Sequence, residues 1–98
     1  MLEIQLLEPA RIELDEAFSH YENQLEGLGV RFLDEVLQVF HNIKSDPKAW
    51  PVFSERTRRC LLSKFPYSVI YQIREDIILV VAVAHLHRKP DYWQNRLE

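Results

Sequence analysis

The sequence predicts an α+β domain, an antiparallel helical hairpin packed on a mainly antiparallel sheet, with elements in the order β-α-α-β-β-β. Three observations lead there. Apolar residues recur at spacings of three and four across residues 14–43, then every second position from Arg56 onward. Prolines and glycines stand where the pattern changes, at Pro9, Gly27, Gly29, Pro47 and Pro66. The last apolar run, Ile77 to Ala84, is apolar on both faces, as a central strand covered on each side must be.

The elements follow in order. Leu2, Ile4 and Leu6 alternate with Glu3 and Gln5, the period of a short half-buried strand. Pro9 suits the first turn of a helix, where its missing N–H costs nothing. Leu14, Phe18, Tyr21 and Leu25 make that helix's apolar stripe, and Gly27-Leu28-Gly29 stops it. A second helix carries the stripe Leu33, Val36, Leu37, Phe40 and Ile43 and stops at Asp46-Pro47. The short connector makes the two helices antiparallel neighbours. "RTRRCLLSKF", "YSVIYQIR" and "IILVVAVA" read as three strands of a meander, with corners at Phe65-Pro66 and Glu75-Asp76. The first strand is expected to join them, since alone it would leave its backbone groups unpaired. Trp50, Pro51 and Phe53 are expected to cap the core between hairpin and sheet, and a short polar segment follows Pro90.

A chain of 98 residues has room for one such domain, expected over residues 1–98. Its 47% hydrophobic content suits a packed core and is too high for a disordered tail. Cys60 is the lone cysteine, so it forms no internal disulfide and reads as a small interior side chain. The longest apolar run is too short to span a bilayer and no signal peptide is visible, so the expectation is a cytoplasmic protein without membrane contact. Charge is uneven. Residues 1–50 hold ten acids against four Lys/Arg, and residues 51–98 five against eight. The net −3 argues against a general DNA-binding module, while a local basic face on the second half stays open.

The chemistry-bearing residues gather in that second half. His85 and His87, two apart on a strand, point the same way. Zinc sites use such pairs but need a third ligand, and neither a second cysteine nor a histidine at ligand spacing is nearby. No metal or other cofactor is therefore expected. Arg56, Arg58 and Lys64 fall on one predicted strand face, with Cys60 and Leu62 between them. Cations there discourage edge-to-edge pairing of sheets. Together with Arg74, Arg88 and Lys89 they would equally suit metal-free cleavage of RNA, with arginines on the phosphate and His or Tyr carrying the proton. No phosphate-binding glycine loop, GxSxG or HExxH occurs.

Five stretches in order resemble the RelE/ParE superfamily of bacterial toxins from type II toxin–antitoxin modules, most closely its ParE-like branch. "EPARIEL" approximates the family's early Pro-x-Ala-x-x-Asp/Glu-Leu motif. "HYENQLEGLGVRFLDEV" resembles its helix–turn–helix, and "DPKAWPVF" the loop after it. "RRCLLSKFPYSVIYQI" and "AVAHLHRKPDYW" resemble its sheet. The resemblance implies a growth inhibitor held inactive in a hetero-oligomer with a cognate antitoxin. It implies DNA gyrase as the target or, in the RelE-like alternative, mRNA cut at the ribosome without a metal. A degenerate member serving only as a protein-binding module is the third reading. In the nuclease case Arg58, Arg59 and Lys64 would hold the RNA backbone, Arg88 would help neutralise its charge, and His85, His87 or Tyr92 would move the proton. Antitoxin contact is expected at Phe32 and Val39, read as an exposed apolar margin of the second helix, with Arg88 steering acidic residues.

Overall fold

The computed structural model describes residues 2–97. Strand β1 (Glu3–Leu6) leads into helix α1 (Glu8–Gln24) and helix α2 (Leu28–Ser45). Strands β2 (Val52–Ser54), β3 (Thr57–Leu61), β4 (Tyr67–Ile73) and β5 (Ile77–His85) follow, and a single 3-10 turn closes the chain at Gln94–Leu97. The five strands form one sheet in the order β1-β5-β4-β3-β2, with β1 parallel to β5 and every other pair antiparallel. The predicted class and element order hold, with one short strand, β2, added at the edge.

The hairpin turns where the sequence placed its glycines. Gly27 sits at φ 89°, a left-handed conformation that a side chain would strain. The Glu22 carboxylate accepts the N–H groups of Gly27 (2.8 Å) and Gly29 (2.9 Å), satisfying free amides at the start of α2. Gly29 also lets the helices touch, because a Cβ there would lie 2.6 Å from the Phe18 carbonyl oxygen.

The phase of α2 differs from the expected one. Phe32, Val36, Val39 and Ile43 are buried against the sheet, whereas Leu37 stands 52% exposed. Phe32 and Val39 therefore form part of the core and not an exposed margin. The helix carries apolar residues on two neighbouring faces, and packing chose the face with Phe32. Tyr21, Phe65 and Tyr67 close edge-on around the Phe32 ring at 5.1–5.3 Å, apart from the more tilted Tyr21.

Strand β3 is shorter than its predicted run. Arg56 lies in the turn before it, and Lys64 in the bend after it. Cross-strand partners share a face, so Cys60 and Val69 look toward the helices, while Arg59 and Ile70 look the other way. That second face is covered in part by the C-terminal segment. Trp93 is fully buried there against Ile70, Ala82 and Ala84, with Phe53 and Leu97 alongside. The segment after Pro90 is thus a packed cover, not merely polar chain. Among the described residues no helix is long and apolar enough to cross a membrane.

Candidate functional site

The C-terminal end of β5 carries the site. His85 is the last strand residue, paired across the sheet with Tyr67, and the two rings meet edge-on at 5.0 Å. The following turn brings the His87 ring to 4.8 Å from that of His85. The His87 backbone N–H donates to His85 Nδ1 at 3.0 Å, which leaves the proton of the neutral ring on Nε2. Burial holds the imidazole below its ordinary pKa, and repulsion from His87 and His20 adds to this. In this tautomer the neutral ring has a proton to give at Nε2, while its acceptor nitrogen, Nδ1, is taken up by the His87 N–H. A cavity of 160 Å³ opens beside it, lined also by Glu16, His20, Tyr67 and Arg88.

Arg88 lies over the Tyr92 ring, 3.9 Å from its centroid. The Tyr92 hydroxyl donates to Glu13 Oε2 at 2.6 Å. Burial, then the carboxylate that accepts this proton, pushes the phenol far above its ordinary range. Tyr92 holds its proton and spends it on Glu13. The same carboxylate accepts Arg96 Nη1 at 2.9 Å and Nη2 at 3.0 Å, and its Oε1 takes the Val83 N–H at 3.1 Å. Arg96 Nη1 also reaches the Val81 carbonyl at 3.0 Å. β1 pairs with β5 only as far as Val80, so these two side chains serve the polar groups of β5 that have no neighbouring strand there.

Of the residues singled out in the sequence, His85, His87, Arg88 and Tyr92 come together on this rim. Arg58 does not. It pairs with Tyr71, four residues along β4 from Tyr67, or about 13 Å at about 3.3 Å per residue. Its guanidinium donates to the Lys48 and Trp50 carbonyls at 3.1 and 2.7 Å. Lys64 stands in the β3–β4 bend, which is held by Glu35 of α2. That carboxylate accepts the Lys64 N–H (3.1 Å) together with the Ser63 N–H and hydroxyl. The arginine that does reach the rim from β3 is Arg59, stacked 4.2 Å over Phe53 and sharing a 160 Å³ cavity with His85, Arg88 and Tyr92. Among the described residues, no group of three or more His, Cys, Asp or Glu side chains is placed to hold a metal ion.

Glu13 and Arg96 were not foreseen. Glu13 sits on a helix rich in acids, and Arg96 follows a proline in a polar stretch, so neither stands out locally. Only the fold joins them.

Residues 4–90 match the family model described as the ParE toxin of the type II toxin–antitoxin system parDE. The matched span ends before Tyr92, Trp93 and Arg96. No curated protein gives a significant match. Ten chains of known structure match. One of these comes from "Chromosomal ParDE TA system from P. aeruginosa", with a TM-score of 0.75 and 15% sequence identity, covering 89% of this chain and 98% of that one. At that identity the likeness shows the fold.

Proposed function

We propose, from the premise that this chain belongs to the family of ParE toxins of type II toxin–antitoxin systems, that it arrests growth by binding DNA gyrase and is held inactive by a cognate antitoxin. The two proteins would form a hetero-oligomer in the cytoplasm, where the target is found.

The observation that carries the gyrase reading is how the candidate acid–base groups are occupied. The Tyr92 hydroxyl is bound to Glu13, the Arg58 guanidinium to two loop carbonyls, and Lys64 sits off the strand. A poison that works by binding needs a presented surface and no assembled proton relay. Purified protein should block gyrase supercoiling and build up cleaved DNA. Gyrase that runs unaffected at large toxin excess would remove the target assignment.

A ribosome-dependent mRNA endonuclease is the second reading, favoured by one observation. The neutral His85 ring would carry its proton on Nε2, and it shares the rim with Arg59 and Arg88. In that case the arginines would stabilise the developing phosphorane, His87 would take the proton of the attacking 2′-OH, and His85 would give its Nε2 proton to the 5′-oxygen that leaves as the P–O5′ bond breaks. Replacing both histidines by alanine should then cost about 10²–10⁴-fold in cleavage. Cleavage and toxicity that survive the double replacement exclude the mechanism. A chain that neither inhibits gyrase, cuts mRNA nor slows growth is the third case, a binding module alone.

A further inference from the structure

At the end of β4 away from the rim, the turn between β2 and β3 and the bend between β4 and β5 meet around a cavity of 570 Å³. Three arginines line it: Arg56 from the turn, Arg58 from β3 and Arg74 from the residue after β4. Two of them are held by neutral oxygens. Arg58 Nη1 donates to the Lys48 and Trp50 carbonyls at 3.1 and 2.7 Å, and Arg74 Nε donates to Gln72 Oε1 at 2.7 Å. Such acceptors fix a guanidinium without cancelling its charge, and each fork keeps further N–H groups to give. Among the described residues none of the three arginines forms an ion pair. The neutral part of the lining is ordered as well. The buried Thr57 hydroxyl lies 2.6 Å from Ser54 Oγ, which also accepts the Arg56 N–H at 3.3 Å and so fixes the turn that carries Arg56. Gln72 is buried too, and with Oε1 taken by Arg74 its amide N–H groups are what it has left to offer.

We propose that this corner of the sheet binds a single terminal phosphate group, free or as the monoester of a small molecule. Guanidinium forks match phosphate oxygens two at a time, and a terminal phosphate has three such oxygens for the three arginines. Arginines that only guard a sheet edge against pairing would need no anchoring by neutral oxygens. Glu55 and Glu75 line the same cavity and limit what enters. One phosphate group can meet the arginines alone, whereas a nucleic-acid backbone would bring its next charges against these carboxylates. Val52 and Ile73 offer an apolar wall for the organic part of an ester. The volume falls within the about 300–1,000 Å³ usual for small-molecule sites. None of this depends on whether gyrase or mRNA is the target.

The test is a titration of the full chain with inorganic phosphate and with adenosine monophosphate, followed through the backbone amide resonances. Adenosine and a DNA oligonucleotide without terminal phosphates are the controls. Both phosphates should shift the amides of Arg56, Thr57 and Arg74, and adenosine should not. Tighter binding of the monophosphate assigns the site to an ester, and equal binding assigns it to the free ion. Arg56→Ala and Arg74→Ala should each lower the affinity about tenfold, the loss expected for one charge-assisted hydrogen bond. Both side chains are exposed, so the variants should stay folded by circular dichroism. Glu75→Gln, which removes a repelling charge, should bind phosphate more tightly and supplies a second reading if an arginine variant unfolds. The proposal is overturned by amides that neither phosphate moves, by wild-type affinity in both arginine variants, or by shifts confined to His85–Arg88 on the rim. An oligonucleotide that binds as tightly as the phosphates, with the same dependence on Arg56 and Arg74, overturns it as well.

Discussion

Glu13 and Arg96 face each other fork to fork, with two roughly parallel N–H···O bonds of 2.9 and 3.0 Å joining the first helix to the last turn of the chain. The geometry is the strong bidentate one. Each partner also serves β5, so the pair substitutes for a missing length of strand while fastening the segment that holds Trp93 in place.

Arg96→Ala should therefore destabilise the fold by about 2–3 kcal/mol. Breaking a fully buried pair costs about 3–5 kcal/mol, and the side chains here keep 17% and 14% of their exposure. Urea unfolding followed by tryptophan fluorescence measures it. Glu13→Gln combined with Arg96→Met should recover part of the loss, since no charge is then left buried alone. A change within about 0.5 kcal/mol, the usual surface range, would show that the clamp contributes nothing.

Phe32→Asp should unfold the protein rather than merely weaken a partner's hold. It places a charge where a phenyl ring is fully enclosed, and loss of the ring alone costs about 3–5 kcal/mol. Leu37→Asp, on the open side of the same helix, should change stability by less than about 0.5 kcal/mol. Thermal melts of the two variants side by side decide which face of α2 is buried.

Gly29→Ala should destabilise although alanine is the better helix former by about 1 kcal/mol. The added methyl meets backbone at the Phe18 carbonyl oxygen, and backbone cannot rotate away. The expected net loss is about 1–3 kcal/mol, the usual cost of overpacking, read from urea midpoints. A stabilised variant would mean that the helices separate freely at this point.

These cases mark where the sequence was legible. Strand β1 and the meander were readable because alternation is local, and the hairpin because Gly27 and Pro47 punctuate it. The phase of α2 was not. With Leu33, Leu37 and Phe40 beside Phe32, Val36 and Val39, a period of 3.6 fits either face, and only the opposing sheet decides. Strand β2 is three residues long, follows a proline and contains an irregular register, so it carries no periodic signal of its own. On the rim, the fold brings four of the six catalytic candidates, His85, His87, Arg88 and Tyr92, near one another. Arg59 replaced Arg58 because adjacent strand residues face opposite ways, and the strand's phase was set by its pairing with β4.

Acid should weaken the tie between α2 and the β3–β4 bend. Burial pushes Glu35 up, but the hydrogen bonds from Ser63 and Lys64, with the Lys64 charge, outweigh it and hold the carboxyl below its ordinary value. A depressed carboxyl contributes stability that is present above its unfolded pKa, near about 4.3, and lost as pH falls through the lower folded value. Stability measured from pH 6 downward should fall less steeply in Glu35→Gln than in the wild type. Identical slopes would mean that the carboxylate holds nothing.

The His85 titration has the same direction for a different reason. Its folded pKa is depressed chiefly by burial and then by His87 and His20. Protonation should therefore begin to cost stability as pH falls below the unfolded value of about 6.5. His87→Ala should raise the His85 pKa part of the way back, with burial keeping the remainder of the shift. Nuclear magnetic resonance of the ring protons reads both values. No movement in the variant would show that the two rings do not sense each other.

The parallel pairing of β1 with β5 sets residue 3 beside residue 77. Translation proceeds from the N-terminus, so the strand that separates β1 from β4 is the last of the five to leave the ribosome. Until it emerges, β1 has no partner and the hairpin has only an unfinished sheet to lie on. Pairing of such long range also makes folding slow, because the closure of the chain is completed before any contact offsets it. A nascent chain short of His85 thus carries neither the completed sheet nor the rim. The sheet and its rim are therefore completed together, by the last of the five strands to be made.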